Sequence, residues 1–210
     1  MKRIIISVAI IFCAVLTSNA QFFVAGSVGM DFTSGKYKSG NVTTDRPSTF
    51  TFEVWPAARY FLSDRFAIGL ETGIERSVTD QKNNSKSKTI ETTWGIAAFG
   101  IYKLIEVNNL GLLLKGSLEF QSSKDKYKTG STSSDGDPTK MIGVFVLPVL
   151  SYSLTDRISV EAYSDFLQLG FGNYSYKSGS TKTTGNYFGL GANYDSGMNN
   201  AVSFGIVYKF

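Results

Sequence analysis

The chain has no histidine, and its one cysteine, Cys13, lies within the first twenty residues. Without an imidazole there is no Ser-His-Asp triad, no histidine-based proton transfer and little basis for a metal centre. From Gln21 onward there is no thiol, so no disulfide framework supports the fold. Proline is scarce, and nothing beyond Leu16 approaches the roughly 20 apolar residues of a membrane-spanning helix. An excess of either charge is missing as well. Setting aside Lys2 and Arg3 leaves 19 basic and 17 acidic residues, with no basic helix to meet nucleic acid. A carboxylate pair is the remaining catalytic option. Glu71 and Glu75 share a strand face, but four residues of strand hold them about 13 Å apart, too far to cooperate. The expectation is a protein that is not an enzyme, with no catalytic residues, no metal, no cofactor and no nucleic-acid partner.

What is present begins with an export signal. The basic pair Lys2-Arg3 precedes an apolar run from Ile4 to Leu16, followed by small residues at Ser18 and Ala20. This order reads as a signal peptide over residues 1–20, cleaved after Ala20. Cys13 is a poor lipoprotein acceptor, because Phe12 precedes it and it sits inside the apolar run. Residues 21–210 suit one domain.

That domain alternates. Val202, Phe204, Ile206, Tyr208 and Phe210 interleave with Ser203, Gly205, Val207 and Lys209, and Phe50, Phe52, Val54, Pro56, Ala58 and Tyr60 interleave with Thr51, Glu53, Trp55, Ala57 and Arg59. The stretches 66–75 and 110–121 repeat the pattern, and 22–32, 90–103, 141–153 and 158–171 are noisier versions of it. Period two is the mark of strands with one apolar face. The connections sort by length: 62–65, 104–109 and 154–157 are short, whereas 33–48, 79–88, 122–140 and 174–185 are long and rich in Ser, Thr, Gly and Lys. Exported, without apolar helices, and with long loops at one end only, the chain predicts an antiparallel transmembrane β-barrel. The count is eight strands, with a last hairpin of 158–178 against 186–210 that extends above the membrane and bulges near 195–200; a parity slip near Ser164 suits a further bulge. Pro56 and Pro148 lack a donor, so the ladder is expected to break locally at each. Segment 56–68 also echoes 148–160, through Pro56, Tyr60, Leu62, Asp64 and Arg65 against Pro148, Tyr152, Leu154, Asp156 and Arg157. Shared turn chemistry accounts for this more simply than duplication of a four-strand unit.

Parity sends Asp31, Glu53, Glu71, Glu75, Glu91, Glu119, Glu161 and Asp165 into the lumen with Arg59, Lys103, Lys115 and Lys209. Eight strands enclose only enough room for side chains, so these charges should form a plug of ion pairs, together with bulky Trp55, Phe99, Phe145 and Leu147. A narrow cation-favouring channel is the alternative. The four long connections hold twelve Lys/Arg and five Asp/Glu. Lys82, Lys86, Lys88, Lys124, Lys126 and Lys128 are therefore candidates to touch anionic headgroups of outer-membrane lipids, lipopolysaccharide included.

Taken together, the export signal, the Pro-x-x-x-Tyr-x-Leu-Ser/Thr-Asp-Arg turns and the ending Ser203-Phe204-Gly205-Ile206-Val207-Tyr208-Lys209-Phe210 resemble the small outer-membrane barrels of the OmpX and OmpA transmembrane-domain type, in their Bacteroidetes forms. The resemblance implies bacterial outer-membrane residence. It also implies that Phe204, Ile206, Tyr208 and Phe210 act as an assembly signal for the barrel-insertion machinery. It specifies architecture, not activity: a structural or surface-interaction barrel is expected, with a small-solute or cation channel as the second reading.

Overall fold

A backbone surrounded by lipid has to satisfy its hydrogen bonds internally, and here strand pairing does so. The structure, a computed structural model, describes residues 22–40, 42–82, 87–164, 167–179, 181–190 and 202–210. The proposed signal peptide and residues 195–200 lie outside the described residues. In chain order the strands are β1 (Phe22–Thr33), β2 (Lys36–Ser39), β3 (Val42–Asp45), β4 (Ser48–Phe61), β5 (Phe66–Asp80), β6 (Ser87–Val107) and β7 (Leu110–Thr129). They continue as β8 (Thr132–Asp135), β9 (Thr139–Ser153), β10 (Ile158–Ser164), β11 (Leu169–Ser178), β12 (Thr181–Leu190) and β13 (Val202–Lys209).

Eight of these close a ring of antiparallel neighbours in the order β1-β4-β5-β6-β7-β9-β10-β13, with β13 returning to β1 through pairs such as Ala25↔Val207. The seventh wall strand is broken. β10 pairs the lower part of β9, from Val149 to Ser153, while β11 pairs its upper part, from Lys140 to Val146. The parity slip near Ser164 is thus not a bulge but a strand break, and the hairpin expected as 158–178 against 186–210 divides into β10 against β13 and β11 against β12, Leu169↔Leu190 to Ser178↔Thr181. Pro148 falls in the gap between the two partners, where no donor is required, although its pairing to Leu114 on the other side is kept. Pro56 behaves alike: β4–β5 pairing omits Trp55 and Pro56, and β1–β4 pairing runs through them.

Three of the four segments read as polar loops are largely strand. β2–β3, the outer third of β7 with β8, and β11–β12 are hairpins standing above the barrel. Gly40, Gly130 and Gly179 carry φ of 58°, 59° and 61° at their tips, a conformation that glycine adopts without a Cβ clash. Polarity on both faces hid these strands from a reading based on apolar alternation; their Thr, Ser and Tyr content suits extended backbone. At the other end the two echoing turns share one geometry. The Ser63 hydroxyl accepts from the amides of Arg65 and Phe66, and the Thr155 hydroxyl from those of Arg157 and Ile158.

The alternation fixes facing. On β6, Thr93, Ala97, Phe99 and Ile101 are buried inside while Trp94, Ile96 and Tyr102 are exposed outside. Leu70, Leu118, Phe204 and Ile206 are each more than half exposed on the outer wall. An apolar band of this kind on a closed barrel is a lipid-facing surface. We expect Leu118→Arg to cost about 2–4 kcal/mol in refolding titrations, and Gln121→Arg, which faces the lumen beside Glu119, much less. The reverse ordering would invert the inside and outside of the barrel.

Candidate functional site

The lumen is built from inward positions of strands far apart in sequence. β4 contributes Glu53, Trp55 and Arg59; β5 contributes Glu71 and Glu75; β6 contributes Phe99; β7 contributes Lys115 and Glu119; β10 contributes Glu161 and Tyr163. Small residues make room for them. A Cβ at Gly69 would collide with the Phe99 ring, and one at Gly205 would stand 3.0 Å from Tyr163 Cε2.

Two ion pairs cross this space. Arg59 reaches over β1 and β13 to Glu161, with Nη1 donating to Oε1 at 2.6 Å and Nη2 to Oε2 at 2.7 Å. Arg59 Nη2 also donates to the Tyr163 hydroxyl at 2.7 Å, which itself donates to Glu161 Oε2 at 2.6 Å. Lys115 Nζ donates to both Glu71 oxygens at 2.7 and 2.8 Å. The two pairs are locked together by rings. Lys115 Nζ lies 4.9 Å from the Phe99 centroid and 5.4 Å from that of Tyr163, and the Arg59 guanidinium carbon lies 5.7 Å from Phe99. Arg59 and Glu161 are only 4% and 3% exposed, so each charge depends on its partner. Phe99, Ile101, Leu113, Leu147, Val149 and Tyr163 pack as one apolar cluster around this belt.

The belt divides the lumen. Below it a cavity of about 710 Å³ opens at the short-turn end, lined by Arg59, Arg65, Lys103, Arg157, Glu161 and Lys209 among others. Above it a cavity of about 480 Å³ faces the hairpin end, lined by Glu53, Glu71, Glu75, Lys115, Glu119 and Tyr163 among others. The other charges placed inside by parity do not all join the belt. The Trp55 indole N–H donates to Glu53 at 3.3 Å, the Ser117 hydroxyl to Glu119 at 2.5 Å, and the Ser123 hydroxyl to Glu91 at 2.5 Å. Glu75 stands opposite Glu53 across the β4–β5 ladder. Lys103 pairs with Glu106 at 2.7 Å near the turns, and Lys209 lies 5.8 Å from the Phe23 ring at the same end. Asp31 accepts from its neighbour Thr33, and Asp165 lies outside the described residues. Sequence reading passed over Tyr163, whose parity with Glu161 was the available signal.

The basic candidates occupy the hairpin end. Lys82 is exposed beyond β5 with φ 52°, and Lys86 lies outside the described residues. Lys88 sits 3.7 Å from Asp80, and Lys124 pairs with Asp135 at 2.9 Å. The Lys82 backbone amide, followed by the charges of Lys82 and Lys88, holds the Asp80 carboxyl below its ordinary range, and Lys124 does the same for Asp135. Register pairs Thr92↔Lys124, Ile90↔Lys126 and Lys88↔Lys128. These lysines therefore stand on the same outer face of β7 as Leu118 and Phe120. At the other end Phe204, Ile206, Tyr208 and Phe210 all sit exposed on the outer wall.

Breaking the buried pair tests the belt. Glu161→Gln should destabilise the refolded barrel by about 3–5 kcal/mol, because Arg59 is left without a countercharge. The apolar triple variant Arg59→Met, Glu161→Leu, Tyr163→Phe should recover most of that loss in denaturant titrations. An unchanged midpoint for Glu161→Gln would mean that the pair contributes nothing.

No family model matches the chain, and no curated protein sequence matches it. Solved structures do. The chain is similar to a major outer membrane protein from Thermus thermophilus, at 13% identity, 92% coverage of this chain, 100% of that chain and a TM-score of 0.52. It is also similar to Neisserial surface protein A, at 15% identity, 90% and 97% coverage and a TM-score of 0.41. A third is Ail, the attachment invasion locus protein of Yersinia pestis, at 11% identity, 92% and 100% coverage and a TM-score of 0.44. At these identities the likeness to the Thermus protein is one of fold: a closed antiparallel outer-membrane barrel.

Proposed function

We propose that this protein is an outer-membrane barrel that acts through its outer surface, with a lumen that does not conduct and a basic hairpin end that meets anionic lipid headgroups. The observation that carries the reading is the belt of Arg59, Glu161, Tyr163, Lys115, Glu71 and Phe99, whose contacts cross the lumen between the two cavities. A hydrated ion has no path through buried, mutually paired charges unless both pairs separate, and each separation leaves a charge desolvated. The acidic upper cavity favours cations, which is the basis of the competing channel reading, but it ends on the belt. At the hairpin end, lysines near an anionic surface each add about 1 kcal/mol, screened within a Debye length.

The refolded protein should show no steady single-channel current in planar bilayers; discrete cation-selective steps would favour the channel instead. Vesicles containing lipopolysaccharide should bind it in a salt-dependent manner. Neutralising Lys82, Lys86, Lys88, Lys124, Lys126 and Lys128 should weaken that binding, and equal binding by the variant would remove the headgroup part of the proposal.

Assembly belongs to the same reading. The last strand closes the ring, and its outward aromatics are accessible as it does so, which suits recognition by the barrel-assembly machinery. Deleting Phe210 should lower the heat-modifiable barrel recovered in the outer-membrane fraction while export across the inner membrane continues. Undiminished recovery would exclude Phe210 as part of the signal.

A further inference from the structure

Arg76 is a cation of the lipid-facing wall for which the belt and the hairpin tips give no account. Arg76 lies on β5 with Ile74 below and Val78 above on the same outer face, Phe52 beside it on β4 and Thr92 on β6. Its facing is fixed by its neighbours. Glu75 lines the upper cavity, and the Ser77 hydroxyl bonds that of inward Thr51 at 2.6 Å, so Arg76 between them points outward. Among the described residues it has no acidic or hydrogen-bonding partner, and it is exposed. A guanidinium in an apolar band is unfavourable unless it reaches an anion or the interface.

Two more cations stand near it, one in its row and one in the row beneath. The row Arg76–Thr92–Lys124 crosses three strands, and the row beneath it runs Ile74–Trp94–Ser122–Lys140. Arg76 and Lys124 are therefore two strand spacings apart, about 10 Å, and Lys124 and Lys140 are diagonal neighbours; Lys124 also carries the exposed pair to Asp135 at 2.9 Å, so a phosphate there would share its ammonium with that carboxylate. Lys140, like Arg76, is exposed on the outer face and has no partner among the described residues. Trp94 lies in the row of Lys140, one row below Arg76 and Lys124, and its ring packs at 5.5 Å on that of Phe120, one row lower still; both face lipid. An aromatic pair with cations beside and above it is the arrangement that holds an amphiphile whose phosphate sits at the membrane surface and whose chains run down the wall. The group lies against lipid rather than at the hairpin tips, which favours a membrane lipid over a soluble anion.

We infer that Arg76, Lys124 and Lys140 form a phosphate site for an anionic lipid of the outer leaflet, seated on Trp94 and Phe120. This rests on the lipid-facing reading of the barrel and deepens it: one defined position on the wall selects anionic lipid, apart from the general attraction of the hairpin lysines. Trp94 reports on the site directly, since Trp55, the other tryptophan, lies in the lumen. The full chain, carrying Trp55→Phe, would be refolded into phosphatidylcholine bilayers with increasing brominated phosphatidylglycerol or brominated phosphatidylcholine. The anionic lipid should quench Trp94 with several-fold higher relative affinity. Arg76→Gln with Lys140→Gln should bring that ratio to about one, while the variant lacking the six hairpin-end lysines keeps part of it through Arg76 and Lys140. An unchanged ratio in the Arg76→Gln, Lys140→Gln protein overturns the site, and leaves the headgroup reading standing if the six-lysine variant still loses vesicle binding. Loss of the preference on adding millimolar inorganic phosphate would assign the position to a free anion and overturn its assignment to lipid. Should the double variant refold poorly, Lys140→Gln alone, at an exposed strand end, carries the same test with a partial fall expected.

Discussion

The pairing of β13 with β1 is the constraint on which the rest depends. A sheet left open at that seam would present two rows of unpaired amides and carbonyls to lipid, each costing several kcal/mol. Closing it fixes the number of wall strands at eight and with that the circumference. The diameter then follows, and it is narrow enough for side chains of non-neighbouring strands to meet. The identity of the residues that can meet across the lumen is thus a consequence of closure.

Closure also explains how charges tolerate the interior. Arg59 and Glu161 come from wall strands separated by β1 and β13, and Lys115 and Glu71 from strands separated by β6. None of these partners are neighbours in a ladder. They meet because the barrel is narrow, and Phe99 can stand between both cations because Gly69 leaves the space beside it open. The belt joins strands two and three apart around the ring, so it ties the wall together across the interior.

The outer wall works by a different logic. Its apolar band needs no partner except lipid, and some of the charges that border it pair with carboxylates of the chain, as Lys124 does with Asp135. At the turn end the chain stays short, with Ser63 and Thr155 hydroxyls capping two turns of the same form. At the opposite end the strands run on past the membrane as polar hairpins. Chemistry at the two rims is therefore unequal: tight turns with mixed charges on one, extended strands carrying most of the lysines on the other.

Much of this was legible in the residues. Period-two alternation, with its cavity-facing Glu71, Lys115 and Glu161 and its lipid-facing Leu70, Leu118 and Ile206, requires only that neighbouring side chains on a strand point to opposite faces. Short and long connections gave the strand count, and the parity slip near Ser164 marked the break between β10 and β11. The hairpin strands were hidden because no apolar face remains once both sides are hydrated. Arg76 was hidden because one basic residue in a run of outward positions resembles noise until register aligns it with Lys124 and Lys140. The chain by itself determined which face each residue takes, since that is a local property of extended backbone. Only the closed barrel decided which residues meet: partners such as Arg59 and Glu161 are 102 positions apart, and their approach depends on circumference and stagger, which no segment carries alone.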